Sequence, residues 1–249
     1  MKKEGVFIIL LLVLALVLYL FSSNKLTGNI VSDRGLVAHI NFDKNIGKPL
    51  DYLEYDDSGK GTHLYLMNDA HTIEYDKKRG RVLLLDGADD YAYAQDNVNV
   101  DLANRFTVAS WINTKNENSI GTILSKEELG VDSFGSYNIY VAKNLFKYEV
   151  DKASSLEAGG VSIGKWHHIA ITYDIFSKPN LKMYIDGNPV QSGNVDSPRQ
   201  NDRDLLVGRR GYDIGSDKGS YFNGMIDELR IYTRALDERE IKELAAIYA

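Results

Sequence analysis

A strand that runs straight into a capped helix closes this sequence: residues 221–244 read Y-F-N-G-M-I-D-E-L-R-I-Y-T-R-A-L-D-E-R-E-I-K-E-L. Period-2 apolar spacing from Met225 to Tyr232 predicts a strand, and Thr233 to Leu236 hand over to a short helix. Alternate strand residues point the same way, which places Asp227 on one face with Met225, Leu229 and Ile231, among core-facing side chains. An ionised carboxylate buried without a partner is costly, so Asp227 requires a cation or several hydrogen-bond donors. In a β-rich chain exported from the cytoplasm the expected cation is calcium. Donors within the protein, for instance from Asn223, are the alternative.

The 249 residues are 44% apolar, enough for a substantial core, and all-β sandwiches of this length are commonly one domain. The absence of cysteine excludes disulfides, cysteine-ligated zinc and thiol catalysis. Net charge is −6. Residues 1–21 hold only Lys2, Lys3 and Glu4 as charges, so the remainder is one unit more acidic, which argues against a nucleic-acid partner.

Residues 5–21, an uncharged run centred on FIILLLVLALVLYLF, predict a membrane-spanning segment. The run meets the lower length limit of a spanning helix, and Phe21-Ser22-Ser23 is a poor signal-peptidase site, so the expectation is an uncleaved anchor. Lys2 and Lys3 place residues 1–4 in the cytoplasm as a short tip. Residues 22–34 then form a polar tether to an outward-facing domain over 35–249, making a single-pass membrane protein.

Strand signals follow at 36–42, 81–85, 91–94, 106–113, 122–126, 137–142, 145–150, 166–174, 181–185, 205–207 and 222–232. With almost no helix, they predict a two-sheet antiparallel sandwich. Asp186-Gly187 suits a type I′ turn and makes residues 181–190 a hairpin. Asp237 with Glu240 forms a capping box for the terminal helix, whose apolar stripe is Leu236, Ile241, Leu244 and Tyr248.

Six segments in order, GLVAHINFD (35–43), LLLDGADDYAYAQD (83–96), FTVASWINT (106–114), GKWHHIAITYD (164–174), LKMYIDGNPV (181–190) and FNGMIDELRIYTRALDEREI (222–241), resemble the LamG-like jelly-roll family of the concanavalin A-like lectin/glucanase superfamily. The resemblance spans about residues 35–245. It implies a jelly roll with one short C-terminal helix, a role in binding carbohydrate or protein, and often a structural calcium. Related jelly rolls hold such an ion between the last long strand and the start of the fold, which nominates Asn41 and Asp43 beside Asp227. Asp86, in the acid-rich turn Asp86-Gly87-Ala88-Asp89-Asp90, is a further candidate ligand.

His167 and His168 are adjacent on a strand, so they face opposite ways and cannot readily share a metal. Trp111 and Trp166 neighbour strongly apolar alternation and are read as packing residues. A glucanase of this fold needs paired carboxylates on one strand face. The nearest match, Glu149-Val150-Asp151, lacks a third acid where Ala153 and Ser154 stand. Asp227 and Glu228, as consecutive strand residues, are expected on opposite faces, and the acids of the terminal helix read as a solvated face. Of sixteen tyrosines, Tyr52, Tyr55, Tyr65 and Tyr212 are candidates for stacking on sugars or anchoring a protein. Together these readings predict a non-catalytic, membrane-tethered module that binds a glycan or a cell-surface protein. A glycoside hydrolase-like enzyme or a structural envelope component is the alternative.

Overall fold

In the computed structural model, residues 31–43, 52–117, 119–127, 137–150, 154–211 and 220–248 are described. The expected membrane anchor, Asp151 and Tyr212 lie outside these residues. None of the described helices is long and apolar enough to cross a membrane. Residues 33–249 form one compact unit.

Two eight-stranded antiparallel sheets enclose the core. The first has the order β14 (Asn188–Gly193), β13 (Leu181–Ile185), β12 (Trp166–Asp174), β7 (Arg105–Thr114), β16 (Asn223–Tyr232), β5 (Gly80–Asp86) and β4 (His71–Asp76). One edge of β16 is shared: β5 pairs with its first half, and β1 (Leu36–Ile40) pairs with its second. The second sheet runs β11 (Ser154–Gly159), β10 (Leu145–Val150), β9 (Tyr137–Ala142), β8 (Gly121–Lys126), β15 (Leu205–Val207), β6 (Tyr91–Ala94), β3 (Leu64–Met67) and β2 (Leu53–Glu54).

Apolar residues from the inner faces, among them Ile112, Ile226, Leu229 and Ile231 of the first sheet and Leu124, Ile139, Tyr148 and Val207 of the second, make one continuous cluster. The sequence-predicted strands are present. Those it misses include β4 and β11, whose polar, largely exposed residues carry no apolar alternation. Such composition suits a sheet edge, where both strands lie.

The hairpin turn has positive φ at both Asp186 and Gly187, as a type I′ turn requires. The capping box of helix α1 (Glu238–Ala245) is complete, with Glu240 N–H donating to Asp237 Oδ1 and Asp237 N–H to Glu240 Oε2. Leu236, Ile241 and Leu244 are buried beneath it.

The last strand departs from strict alternation. Its register against β7 shifts between Asp227 and Arg230, and Glu228 has φ 50°, the signature of a β-bulge. The bulge overturns the expected shared face. Ile226, Leu229 and Ile231 point into the sandwich, whereas Asp227, paired with Trp111, lies on the outer face. A similar crowding acts at Gly224 (φ 143°), where an added Cβ would meet the backbone of Asn113 and Thr114 on β7. Gly224→Ala is expected to cost about 2 kcal/mol or more in urea unfolding, because both the backbone angle and the β7–β16 pairing must yield.

Candidate functional site

The bulge decides the surroundings of Asp227, which is completely buried. Its Oδ2 accepts from Arg79 Nη1 at 3.1 Å and its Oδ1 from the Glu228 amide at 2.8 Å. Arg79 comes from the β4–β5 turn, and its guanidinium lies 4.0 Å from the ring centre of Trp166, 4.2 Å from Tyr248 and 4.8 Å from Trp111. The cation that the buried carboxylate demands is therefore a guanidinium in an aromatic box. Trp111 and Trp166 do pack, but against Arg79 on the outer face rather than within the sandwich.

The bulge also brings Glu228 to the side occupied by Asp227, against the expectation of opposite faces. Glu228 Oε2 bonds His39 at 2.9 Å and Arg230 at 2.5 Å, and its Oε1 accepts from the Tyr248 hydroxyl at 3.4 Å. The environments split the two carboxyls. Burial, and then the neighbouring Glu228 charge, push Asp227 up to about 7 despite Arg79. Glu228, although opposed by burial, is held at about 2 by His39 and Arg230.

The other expected ligands make bonds of their own. Asn41 Oδ1 accepts from the Asp43 amide, and Asp43 Oδ1 from the Arg81 amide. Asp86 is the β-partner of Asn223, four residues along β16 from Asp227, or about 13 Å, so these two carboxylates share no ion. Asp86 instead meets Asp89 and Asp90, with one oxygen of each within 4.8 Å of the others. His167 and His168 do part as expected. His167 bonds Asp186 at 2.8 Å, while His168 is buried edge-on against Trp111 and its pKa is driven down to about 3 by burial.

Across the second sheet, inward Ala92 and Ala94 alternate with outward Tyr91 and Tyr93. One cross-strand row on this outer face runs Tyr65, Tyr93, Leu206, Ser125, Asn138, Glu149. Tyr65 sits on β3 and stacks on Tyr93 with ring centres 5.2 Å apart. Met67, Tyr91, Tyr93, Gln95, Asp204 and Leu206 line an open cleft of about 560 Å³. Arg209 lies over the rings of Tyr91 and Tyr221 at 4.9 and 5.3 Å.

The other half of the row is polar and enclosed. Arg210 bridges two carboxylates, reaching Glu127 at 2.9 Å and Glu149 at 2.6 Å, and the Tyr140 hydroxyl donates to Glu149 at 3.1 Å. Burial raises the Glu127 pKa against the pull of Arg210. Both amide atoms of Asn138 and the Thr122 hydroxyl are buried with no hydrogen-bond partner among the described residues. Sequence reasoning singled out Glu149 but not Arg210 or Glu127, which reach it from distant loops.

A family model described as the concanavalin A-like lectin/glucanases superfamily, of laminin-G type, matches residues 86–242. The chain belongs to this family. No curated protein matches it. Among solved structures it is similar to domain 4 of AbnA, a GH43 extracellular arabinanase from Geobacillus stearothermophilus, in complex with arabinotriose. That similarity has 20% identity, TM-score 0.63, and coverage of 86% of this chain and 100% of that one. It is also similar to the receptor binding domain of botulinum neurotoxin D, at 17% identity and TM-score 0.63 over 86% of this chain. The binding domain of botulinum neurotoxin DC in complex with SialylT is a further match, at 14% identity and TM-score 0.64 over 87%. The chain spans about half of each neurotoxin domain, 52%. At these identities the likeness is one of fold.

The Asp227 environment sets a pH dependence. Between the ordinary carboxyl value of 3.8 and about 7, the folded protein holds a proton on Asp227 that the unfolded chain has lost. Stability therefore falls as pH rises through that window, by at most about 1.4 kcal/mol per unit. Asp227→Asn cannot titrate, so its stability relative to wild type should rise from pH about 4 to about 7 in denaturant unfolding. Glu228 acts oppositely: its contribution is full above the ordinary value of 4.5 and is lost as pH falls toward about 2.

Proposed function

We propose that this chain is a non-catalytic glycan-binding module that works outside the cytoplasm, tethered by its N-terminal apolar segment, with the outer face of the second sheet as its binding surface. The observation that carries this is the open cleft beside the stacked Tyr65 and Tyr93, where Tyr91 and Leu206 lie next to the polar Gln95 and Asp204. Sugar rings present apolar C–H faces that stack on aromatic side chains and hydroxyls that both donate and accept, so such a surface suits them. The exposed part of the row, Tyr65 to Leu206, spans two strand spacings, about 10 Å, room for one or two sugar rings. Similar folds in complex with arabinotriose and with SialylT agree with a carbohydrate ligand.

Hydrolysis is the weaker reading. Glu127 and Glu149 do converge, but the guanidinium of Arg210 lies between them and binds both, in the space where a scissile bond would have to sit. Glycan arrays followed by calorimetry test the proposal. Tyr93→Ala should weaken the best glycan about tenfold or more while leaving the melting temperature near wild type. Unchanged affinity would remove this face from the reading.

Calcium, in the same proposal, belongs with Asp86, Asp89 and Asp90 rather than with Asp227, whose oxygens are taken by Arg79 and a backbone amide. Ligand oxygens about 2.3–2.6 Å from a shared ion lie up to about 5 Å apart, which the acidic turn satisfies. Burial, together with the neighbouring charges of Asp86 and Asp89, raises the pKa of Asp90, and a cation would relieve that repulsion. A hundredfold excess of calcium over its Kd should stabilise the fold by about 2.7 kcal/mol, and Asp86→Asn should lose most of that gain. Equal stability in calcium and chelator would place no ion there.

A further inference from the structure

The geometry points to a second sugar-binding site on the opposite side of the sandwich, in the cleft that opens beside Arg79 on the outer face of the first sheet. The cleft holds about 470 Å³. Tyr75 and Trp166 form its aromatic wall, with ring centres 5.4 Å apart in an edge-to-face pair, and Tyr248 closes another side. Tyr75 is 40% exposed, a large aromatic surface left to water. Buried Trp111 lies behind these rings, and Arg79 is stacked against Trp166, Tyr248 and Trp111 together. Because Arg79 is pinned by buried Asp227, the rings are held in place before any ligand arrives.

The polar lining decides which ligand fits. Asp76, Lys78 and Asp186 are exposed around the cleft. Asp76 Oδ1 is occupied by the Lys78 and Arg79 amides, which leaves its other oxygen directed to no described donor. Lys78 Nζ donates to the Tyr248 carbonyl at 3.0 Å, and Asp186 pairs with His167. Arg79 is paired with Asp227, and the exposed charges of the cleft, Asp76, Lys78 and Asp186, are of both signs. The lining is thus of mixed sign rather than a patch of one charge. Aromatic walls beside carboxylate and ammonium groups suit a neutral polyhydroxylated ring, which stacks on one and hydrogen-bonds to the others. The site stands apart from the Tyr93 face and does not depend on it.

The chain offers a built-in reporter. It has two tryptophans, and both line this cleft, while the second-sheet face carries tyrosines. The full chain is titrated with methyl β-D-glucopyranoside, methyl β-D-galactopyranoside and arabinotriose while tryptophan emission is followed, with choline and 3′-sialyllactose as charged controls. A saturable change with a neutral sugar is expected. It should be about tenfold weaker in Tyr75→Ala and weaker in Lys78→Ala, and the same as wild type in Tyr93→Ala.

Loss of the tryptophan response in Tyr93→Ala would mean that the emission follows binding on the other face, which overturns the second site. A response undiminished in Tyr75→Ala, preference for a charged control, or no response to any of the three sugars up to tens of millimolar would overturn it equally. Calorimetric binding that survives Tyr75→Ala but is abolished by Tyr93→Ala would sink this site while sustaining the proposed function. Loss in the reverse pattern would do the opposite.

Discussion

The buried pairing of Asp227 with Arg79 is the constraint on which one side of this molecule depends. It joins the last strand to the β4–β5 turn, and through the stacked rings it gathers β7, β12 and the segment after helix α1 into the same small volume. A guanidinium suits this place better than an ammonium, since its plane can lie against several rings while one edge meets a carboxylate. Isolating either partner would leave an uncompensated charge in a buried site, which is far costlier than the pair itself. The pair is thus better understood as a specifying device than as a source of net stability. It tells the turn and the chain's end where to sit.

The two outer faces have diverged in character although both belong to regular antiparallel sheets. On the first, the bulge gathers Asp227 and Glu228 into an ionic layer in which each has a cationic partner. On the second, the alternation of Tyr91 and Tyr93 with small inward alanines leaves an aromatic surface with no described helix packed over it. The alanines are informative: Ala92 and Ala94 are fully buried yet add little volume to the core, which larger residues of other strands fill. A strand that contributes little volume inward is free to carry large rings outward.

Much of this was legible from residues alone. The hairpin at Asp186-Gly187 and the capping box at Asp237 and Glu240 follow from local chemistry, which no distant contact overrides. Strands β9, β10, β12, β13 and β15 have the bounds their apolar patterns predict. The need of Asp227 for a countercharge was also readable, because it rests only on burial. What alternation could not supply was the extra residue at Glu228, since a bulge leaves the composition of a strand unchanged and moves every later side chain to the other face. Arg79 was equally hidden. It lies 148 positions from Asp227 in a charged turn, Asp76-Lys77-Lys78-Arg79, that reads as ordinary solvent-exposed sequence. The Glu127–Arg210–Glu149 cluster escaped for the same reason: its members come from three separate segments whose meeting is a property of the topology.

The pairing of β1 with the second half of β16 has a mechanical meaning. Leu36 lies opposite Tyr232, and the Thr233 amide donates to the Gly35 carbonyl, so the chain enters and leaves the sandwich at one place. Tension drawn through the residues that precede β1 would fall first on this short ladder of hydrogen bonds, loading the N-terminal strand against the one that holds the bulge and the buried ion pair. Both outer faces lie beyond that seam. The resistance of this domain to force applied there is therefore set at its first strand.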